Sequence, residues 1–376
     1  MHAELMIQTI SALVGIKRPI YMRGGPGLGK TAIASQVAEN LSLPIIHIHA
    51  PSLLVENLGI PFPVPAEKRV EFFLTGMLPV VGSPFAEQGI VLLDEAGQCA
   101  DDIQKVLANI IQAREVYGHK ILDGWSFILT GNRTEDRAGA NRLLTHFADR
   151  MTILDLDFDV EGWCFWAEKA GVNEKIISYA RFNPNNINHF DPNRDINATP
   201  RSWAEGVSRN MEVVPREALM DVIAGDVGQG PAVEFMGYLE YYGILPSKKE
   251  FLAEPERHVK ALSRWTHEEQ KDAHGLVVGW KLIQRGEGGN HALEPSIAYA
   301  LAGMLMLDMS EEGFEPAMDA AAHLPKDLGS NVFLTYLRRV KAIPVTHMKR
   351  MRQEITRYNG VMLSEEQAEQ SLGLVK

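Results

Sequence analysis

The stretch GGPGLGKT, residues 24–31, decides the fold. It satisfies G-x-x-x-x-G-K-[ST] from Gly24 to Thr31. Glycines let the backbone approach a phosphate closely and adopt φ values that a side chain would obstruct. Gly24, Gly25, Pro26, Gly27, Leu28 and Gly29 then form a turn whose free N–H groups make an anion cradle. A helix beginning near Lys30 adds its positive dipole end, with Ala32 in its first turn. Lys30 is expected to reach the terminal phosphates and the Thr31 hydroxyl to hold Mg²⁺. By itself the motif implies a bound nucleoside triphosphate.

The flanks fit this reading. Residues 19–23 (PIYMR) form a short strand candidate that runs into the loop, and residues 30–41 read as a helix. Residues 44–50 (PIIHIHA) alternate like a strand. Residues 89–94 (GIVLLD), 125–130 (WSFILT) and 151–156 (MTILDL) are further strand candidates, and 101–114 is helical. Strands alternating with helices predict an α/β fold: a parallel sheet covered on both faces.

Two strand ends carry polar groups suited to the same chemistry. Asp94 and Glu95 follow the apolar run IVLL. A carboxylate there can bind Mg²⁺ or its hydration shell, so Asp94 joins Thr31 as a metal ligand. The adjacent Glu95 can orient and polarise an attacking water. Asn132 follows FILTG, where an amide can reach both that water and the terminal phosphate; a turn-forming Gly-Asn is the plain alternative.

Beyond residue 160 the strand signal fades. Helical patterns cover 161–171, 173–182, 200–211, 215–225, 231–242, 263–283, 295–309 and 330–340. A Pro/Asn-rich loop spans 183–199. Trp265, Trp280 and Tyr336 read as helix core.

Composition sets further bounds. The 376 residues are 45% hydrophobic, enough for two or three domains. No apolar run approaches the roughly 20 residues a membrane span needs, and MHAELMIQTI lacks a secretory pattern. With only Cys99 and Cys164, a reducing, cytoplasmic setting is the expectation. The net charge of −11 disfavours a whole-surface affinity for nucleic acid. Locally, however, residues 336–358 hold Arg338, Arg339, Lys341, Lys349, Arg350, Arg352 and Arg357 against Glu354 alone. A solvated helix face explains this stretch, and a partner or nucleic-acid contact is the alternative. His47 and His49 share one strand face without an evident third ligand, so they read as strand histidines rather than a metal site.

These residues together resemble the AAA+ superfamily, and within it the MoxR-like branch. GGPGLGKT is similar to the phosphate loop of that branch, and LLDEAGQC to its acidic strand and following helix. LTGN puts Asn132 in the sensor 1 role. Residues 114–125 (REVYGHKILDGW) resemble its pre-sensor hairpin, where His119 and Lys120 either touch a threaded substrate or form a plain turn. Residues 58–79 resemble its insertion in helix 2, which normally lines or crowns a ring opening. FADRM puts Arg150 in the place of the arginine finger supplied to a neighbouring subunit, with Arg142, Arg133 and Arg137 as alternatives. ATPRSW puts Arg201 at sensor 2. The resemblance covers roughly 5–243.

It implies an ATP hydrolase with Mg²⁺, an AAA+ P-loop core over 1–157, an α-helical lid over 158–243 and an additional α-helical region over 244–376. It also implies a hexameric ring or open helical assembly of identical subunits that remodels a client protein. A partner with a von Willebrand A-type or metal-binding module would fit. A nucleic-acid motor or loader of the same superfamily is the alternative reading.

Overall fold

The computed structural model describes all residues except 134–142, 272, 275–276, 286–290, 308, 311, 340–344 and 359–376, and the side chains of 277–280 and 345. Arg137, Arg142 and Lys341 therefore lie outside the described residues. The chain forms two compact units, one of residues 1–163 with 188–201, the other of 164–187 with 202–376.

The first unit is built on a five-stranded sheet. Helix α1 (Ala3–Gly15) precedes β1 (Ile20–Arg23), and α2 (Lys30–Asn40) leads to β2 (Ile45–His49). Two short 3₁₀ turns and a hairpin of β3 (Gly59–Val64) and β4 (Arg69–Leu74) then connect to β5 (Gln88–Asp94). Helix α3 (Asp101–Ala113) follows, then a small hairpin of β6 (Glu115–Val116) and β7 (His119–Lys120), then β8 (Gly124–Gly131). A short α4 (Thr145–Ala148) leads to β9 (Thr152–Asp155). The sheet order is β2-β5-β8-β1-β9, and every pairing in it is parallel.

Strand composition explains why this sheet is central. In β5, Ile90 and Leu92 pack on one face with Met6, Ile10 and Val14 of α1 and Ile33 and Val37 of α2. Val91 and Leu93 pack on the other face with Ile103, Leu107 and Ile111 of α3. A strand covered on both faces has no polar alternation to keep, hence the continuous apolar run. Helix α1 needed no strong sequence signal of its own: Met6, Ile10 and Val14, four residues apart, are its buried stripe.

The second unit is mostly helical. Helix α5 (Val160–Lys169) enters it, followed by α6 (Glu174–Phe182). After the segment 188–201, a π-helical turn (Ser202–Val207) runs into α7 (Ser208–Val213). Helices α8 (Arg216–Val227), α9 (Gln229–Tyr242), α10 (Lys248–Ala253) and α11 (Pro255–Leu262) follow. Later come α12 (Pro295–Met306), α13 (Phe314–Ala321), α14 (Lys326–Arg339) and α15 (Met348–Tyr358). An aromatic cluster of Tyr179, Phe182, Trp203, Phe235 and Tyr238 packs α6 against α9 and the π turn. A second core runs from Phe251 through α12, α13 and α14 to Tyr358.

One expected helix is corrected. Residues 263–283 form an antiparallel hairpin of β10 (Trp265–Lys271) and β11 (Val277–Gln284), with Trp265 opposite Gln284 and Thr266 opposite Ile283. The Glu-Glu-Gln-Lys run favours a helix locally, but VVGWKLIQ favours a strand, and pairing decides. Trp265 and Leu282 pack against the second core from this hairpin. Trp280 lies on β11 rather than in a helix, while Tyr336 is fully buried on α14 as expected.

Candidate functional site

Because β8 lies between β5 and β1, the carboxyl ends of all three strands meet along one edge of the sheet. Ligands of open parallel sheets bind at this edge. β1 delivers the phosphate loop, β5 delivers Asp94 and Glu95, and β8 delivers Asn132.

Backbone geometry shapes the loop. Gly27 and Gly29 take φ of +73° and +81°, a region that side chains strain to adopt. A Cβ on Gly27 would also lie 2.7 Å from the Thr199 side chain and 3.4 Å from the Arg201 Cβ. The returning segment 188–201 therefore lies against residues 24–31, and the Pro/Asn-rich loop of the sequence is divided, 188–199 belonging to the first unit and 183–187 to the second. His189 and Ala198 close that segment with an antiparallel bridge.

Side chains converge on the same place. The Lys30 ammonium donates to the carbonyls of Gly24 and Gly25 at 2.8 Å each and to the Asn132 amide oxygen at 3.0 Å. The Thr31 hydroxyl lies 3.2 and 3.0 Å from the two carboxylate oxygens of Asp94. Thr130, fully buried on β8, donates its hydroxyl proton to Asp94 Oδ1 and accepts the Glu95 N–H at 3.0 Å. His47 Nε2 lies 3.1 Å from Asp94 Oδ2; a carboxylate only accepts, so the imidazole is the donor. His47 is thus a partner of the acidic strand end.

Burial pushes the Asp94 carboxyl up, but the hydrogen bonds from Thr130, Thr31 and His47 outweigh it and hold the group below the usual carboxylate range. Asp94 is therefore ionised at neutral pH. A hydroxyl and an ionised carboxylate brought together are hard oxygen donors, the set that suits Mg²⁺. Glu95 adopts the left-handed conformation, φ 57° and ψ 32°, which costs a non-glycine residue about 1–2 kcal/mol. The chain thereby turns sharply between two adjacent carboxylates.

The arginines are placed separately. Arg150 follows α4 and donates to Gln112 Oε1 and to the His146 carbonyl, so it forms neither of the ion pairs its sequence allows with Asp149 or Asp155. Asp155 pairs with Arg23 instead, at 2.7 and 2.9 Å. Arg133 donates to the Leu156 carbonyl and to Asp157, a structural tie within the unit. Arg201 is exposed and has no hydrogen bond or ion pair among the described residues, with its Cβ beside Gly27. Thr130 and His47 are the site residues that sequence reasoning missed in these roles. The signal for Thr130 is a hydroxyl one strand position before the strand-end Gly-Asn.

Residues 20–153 match the family model described as the ATPase family associated with various cellular activities (AAA). They form an AAA ATPase domain. The chain is accordingly an ATP hydrolase, and residues 24–31, Asp94, Glu95 and Asn132 all lie within the matched segment. No curated protein matches the chain. Several solved structures are similar at low identity. A candidate ATPase of Cytophaga hutchinsonii is 17% identical with a TM-score of 0.32, covering 90% of this chain and 89% of that one. The RuvB Holliday junction branch migration motor of Thermotoga maritima is 18% identical with a TM-score of 0.36, covering 72% and 78%. NtrX of Brucella abortus in complex with ATP is 16% identical with a TM-score of 0.36, covering 58% and 50%. At these scores none of them bears on what this ATP hydrolase acts upon.

Proposed function

We propose that this AAA ATPase is a MoxR-like machine. It couples ATP binding and hydrolysis, in a hexameric ring or open helical assembly, to changing the conformation of a client protein. The observation that carries this reading is a pair of joined hairpins. Phe72 of β4 stacks on Tyr117, beside β6, at 4.2 Å with 7° between the rings. The Tyr117 hydroxyl reaches the Val55 carbonyl at 3.3 Å. Ile60, Phe62, Val70 and Phe73 of the larger hairpin remain exposed. An apolar projection of this kind suits contact with polypeptide, whereas a phosphate backbone calls for clustered Lys and Arg.

In this reading Lys30 binds the terminal phosphates, within the cradle of residues 24–32. Thr31 and Asp94 hold Mg²⁺, which when bound neutralises phosphate charge. Glu95 orients the attacking water and takes up its proton. Asn132 bridges that water and the phosphate. Arg201 acts as the sensor in cis, and Arg150 reaches the site of the neighbouring subunit, where a planar guanidinium meets spread transition-state charge. Head-to-tail contacts make each site depend on the next subunit. The chain divides into a nucleotide-binding domain (1–157), a lid (158–243) and an extension (244–376). A partner with a von Willebrand A-type or metal-binding module is the expected accessory. A cytoplasmic setting fits Cys99 and Cys164, both buried and neither in a disulfide. Among the described residues no helix is long and apolar enough to cross a membrane.

The second reading, a nucleic-acid motor, rests on the exposed Arg338, Lys349 and Arg352 of the late basic stretch. Three other cations there are already engaged: Arg339 by Glu168, and Arg350 and Arg357 by the buried Glu354. The experiment is the ATPase rate with and without DNA at two salt concentrations. A rate indifferent to DNA supports protein remodelling. A DNA-stimulated, salt-sensitive rate replaces it with the motor. Partners retained by a Glu95→Gln trap in ATP but not in ADP then identify the client.

A further inference from the structure

We propose that Thr130 is a positioning residue for hydrolysis: one buried hydroxyl sets the orientation of Asp94 and the backbone turn of Glu95 together. This rests on the hydrolytic reading of the acidic pair given above. A hydroxyl has one proton to give and lone pairs to accept with. The Thr130 proton goes to Asp94 Oδ1, and its lone pair takes the Glu95 N–H at 3.0 Å. Both bonds run from β8 to the end of β5, between neighbouring strands in parallel register, with Leu129 opposite Leu93.

The two bonds solve one geometric problem. Adjacent carboxylates in extended backbone would point to opposite faces of the sheet. Glu95 instead turns into the left-handed region at φ 57°, and its N–H leaves the strand ladder to meet Thr130. That N–H would otherwise be a donor without a backbone acceptor at a partly buried strand end, which is costly. The accepting hydroxyl therefore stabilises the turn, and the turn decides where the Glu95 side chain begins. The donated proton fixes Oδ1 of Asp94, while His47 donates to Oδ2 and the Thr31 hydroxyl lies within 3.2 Å of both oxygens. Among the described residues, Thr130 alone hydrogen-bonds to both members of the pair.

The role predicts a split between binding and turnover, since the phosphate loop keeps its own contacts. In Thr130→Val, which keeps the shape and removes the hydroxyl, kcat falls about 10- to 100-fold, the loss expected for a hydrogen bond to a charged group. The KM for ATP changes less than about threefold, and the Mg²⁺ concentration for half-maximal rate rises. Thr130→Ser, which keeps the hydroxyl, retains kcat to within about threefold. A second readout uses the nucleotide-free protein: hydrogen exchange at the Glu95 amide speeds up at least about tenfold in Thr130→Val and not in Thr130→Ser. Thr130→Ala repeats these measurements should the valine variant unfold.

Wild-type turnover in a folded Thr130→Val would overturn the proposal. So would a Thr130→Ser as impaired as the valine variant, which would mean that the methyl packing, not the hydroxyl, matters. Unchanged exchange at Glu95 would overturn it as well. A wild-type protein without ATPase activity would instead remove the hydrolytic reading, and the exchange measurement would still decide what Thr130 does to the turn.

Discussion

The Lys30 ammonium donates to the Asn132 amide oxygen at 3.0 Å, so the phosphate loop and the tip of β8 share a hydrogen bond. The same ammonium also holds the carbonyls of Gly24 and Gly25. A single cation therefore organises both walls of the proposed phosphate site.

Lys30→Ala removes that cation from the loop and its charge from the phosphates. A hydrogen bond to a charged group contributes about 1.5–3 kcal/mol. The affinity for Mg²⁺·ATP should fall at least about tenfold, measured by calorimetric titration. Normal affinity would remove residues 24–31 from nucleotide binding.

Glu95→Gln keeps the shape of the side chain and the backbone turn held by Thr130. It removes the proton acceptor. Nucleotide binding should persist while turnover falls about 10²- to 10⁴-fold, the usual contribution of a general base. Phosphate release in single-turnover and steady-state assays separates the two. Wild-type hydrolysis would exclude Glu95 from the chemistry.

The residues legible in the sequence are those whose chemistry is contiguous. GGPGLGKT carries its own turn, cradle and cation, and Asp94-Glu95 announces itself at the end of an apolar run. Thr130 and His47 were not legible in their roles, because each acts across a strand pairing: His47 lies two residues into β2 and meets Asp94 only because β2 is the neighbour of β5. The same limit explains the fold. Strands buried on both faces are obvious as apolar runs, while the β10–β11 hairpin hides behind the helix-forming residues of β10. The ties of Arg339 to Glu168 and of Arg350 to Glu354 turn part of a basic stretch into internal ion pairs. Only the first joins residues far apart in sequence, so only the second could be read from an i, i+4 spacing.

Arg150 is held by Gln112 and His146, on α3 and α4, and bonds to none of its own phosphate-loop residues among those described. In the proposed assembly such a residue serves the neighbour's site rather than its own. Arg150→Ala should leave ATP affinity unchanged and lower turnover about 10³-fold. Mixing Arg150→Ala with Glu95→Gln subunits should restore part of the rate, because some sites then combine an intact Glu95 with a neighbour's intact Arg150. Two inactive variants that stay inactive together would count against a shared site.

Asp155 ties the end of β9 to Arg23 at the end of β1. The Arg23 hydrogen bond, against a smaller opposing effect of burial, holds its carboxyl below the usual carboxylate range. A lowered folded value means stability that is present above the unfolded carboxylate pKa of about 3.9 and is lost as pH falls through the folded value. The pair is largely exposed, so solvent limits it to less than about 1 kcal/mol. Asp155→Asn should therefore destabilise slightly at pH 7 and progressively less as the pH falls towards 2. Denaturant midpoints at the two pH values check this, and an equal loss at both would assign the effect to packing.

Glu354 supplies a stability test for the extension. It is almost fully buried on α15, accepting from Arg350 Nε at 2.7 Å and from Arg357 Nη1 at 3.2 Å. Arg350 is itself mostly buried and also pairs with Asp319 at 2.7 Å, which links α15 to α13. Glu354→Ala leaves that guanidinium with one carboxylate fewer in a poorly solvated place. Removing one member of a buried pair typically costs about 3–5 kcal/mol. The remaining Asp319 contact and the partial exposure of Arg357 favour the lower end, about 3 kcal/mol. Urea unfolding should show a lower midpoint with an unchanged slope, because the surface exposed on unfolding is the same. Glu354→Gln, which keeps acceptor capacity but not charge, should fall between the two. If Glu354→Ala instead kept full stability and gained affinity for DNA, Arg350 and Arg357 would be cations merely masked by Glu354, and the motor reading would displace the structural one.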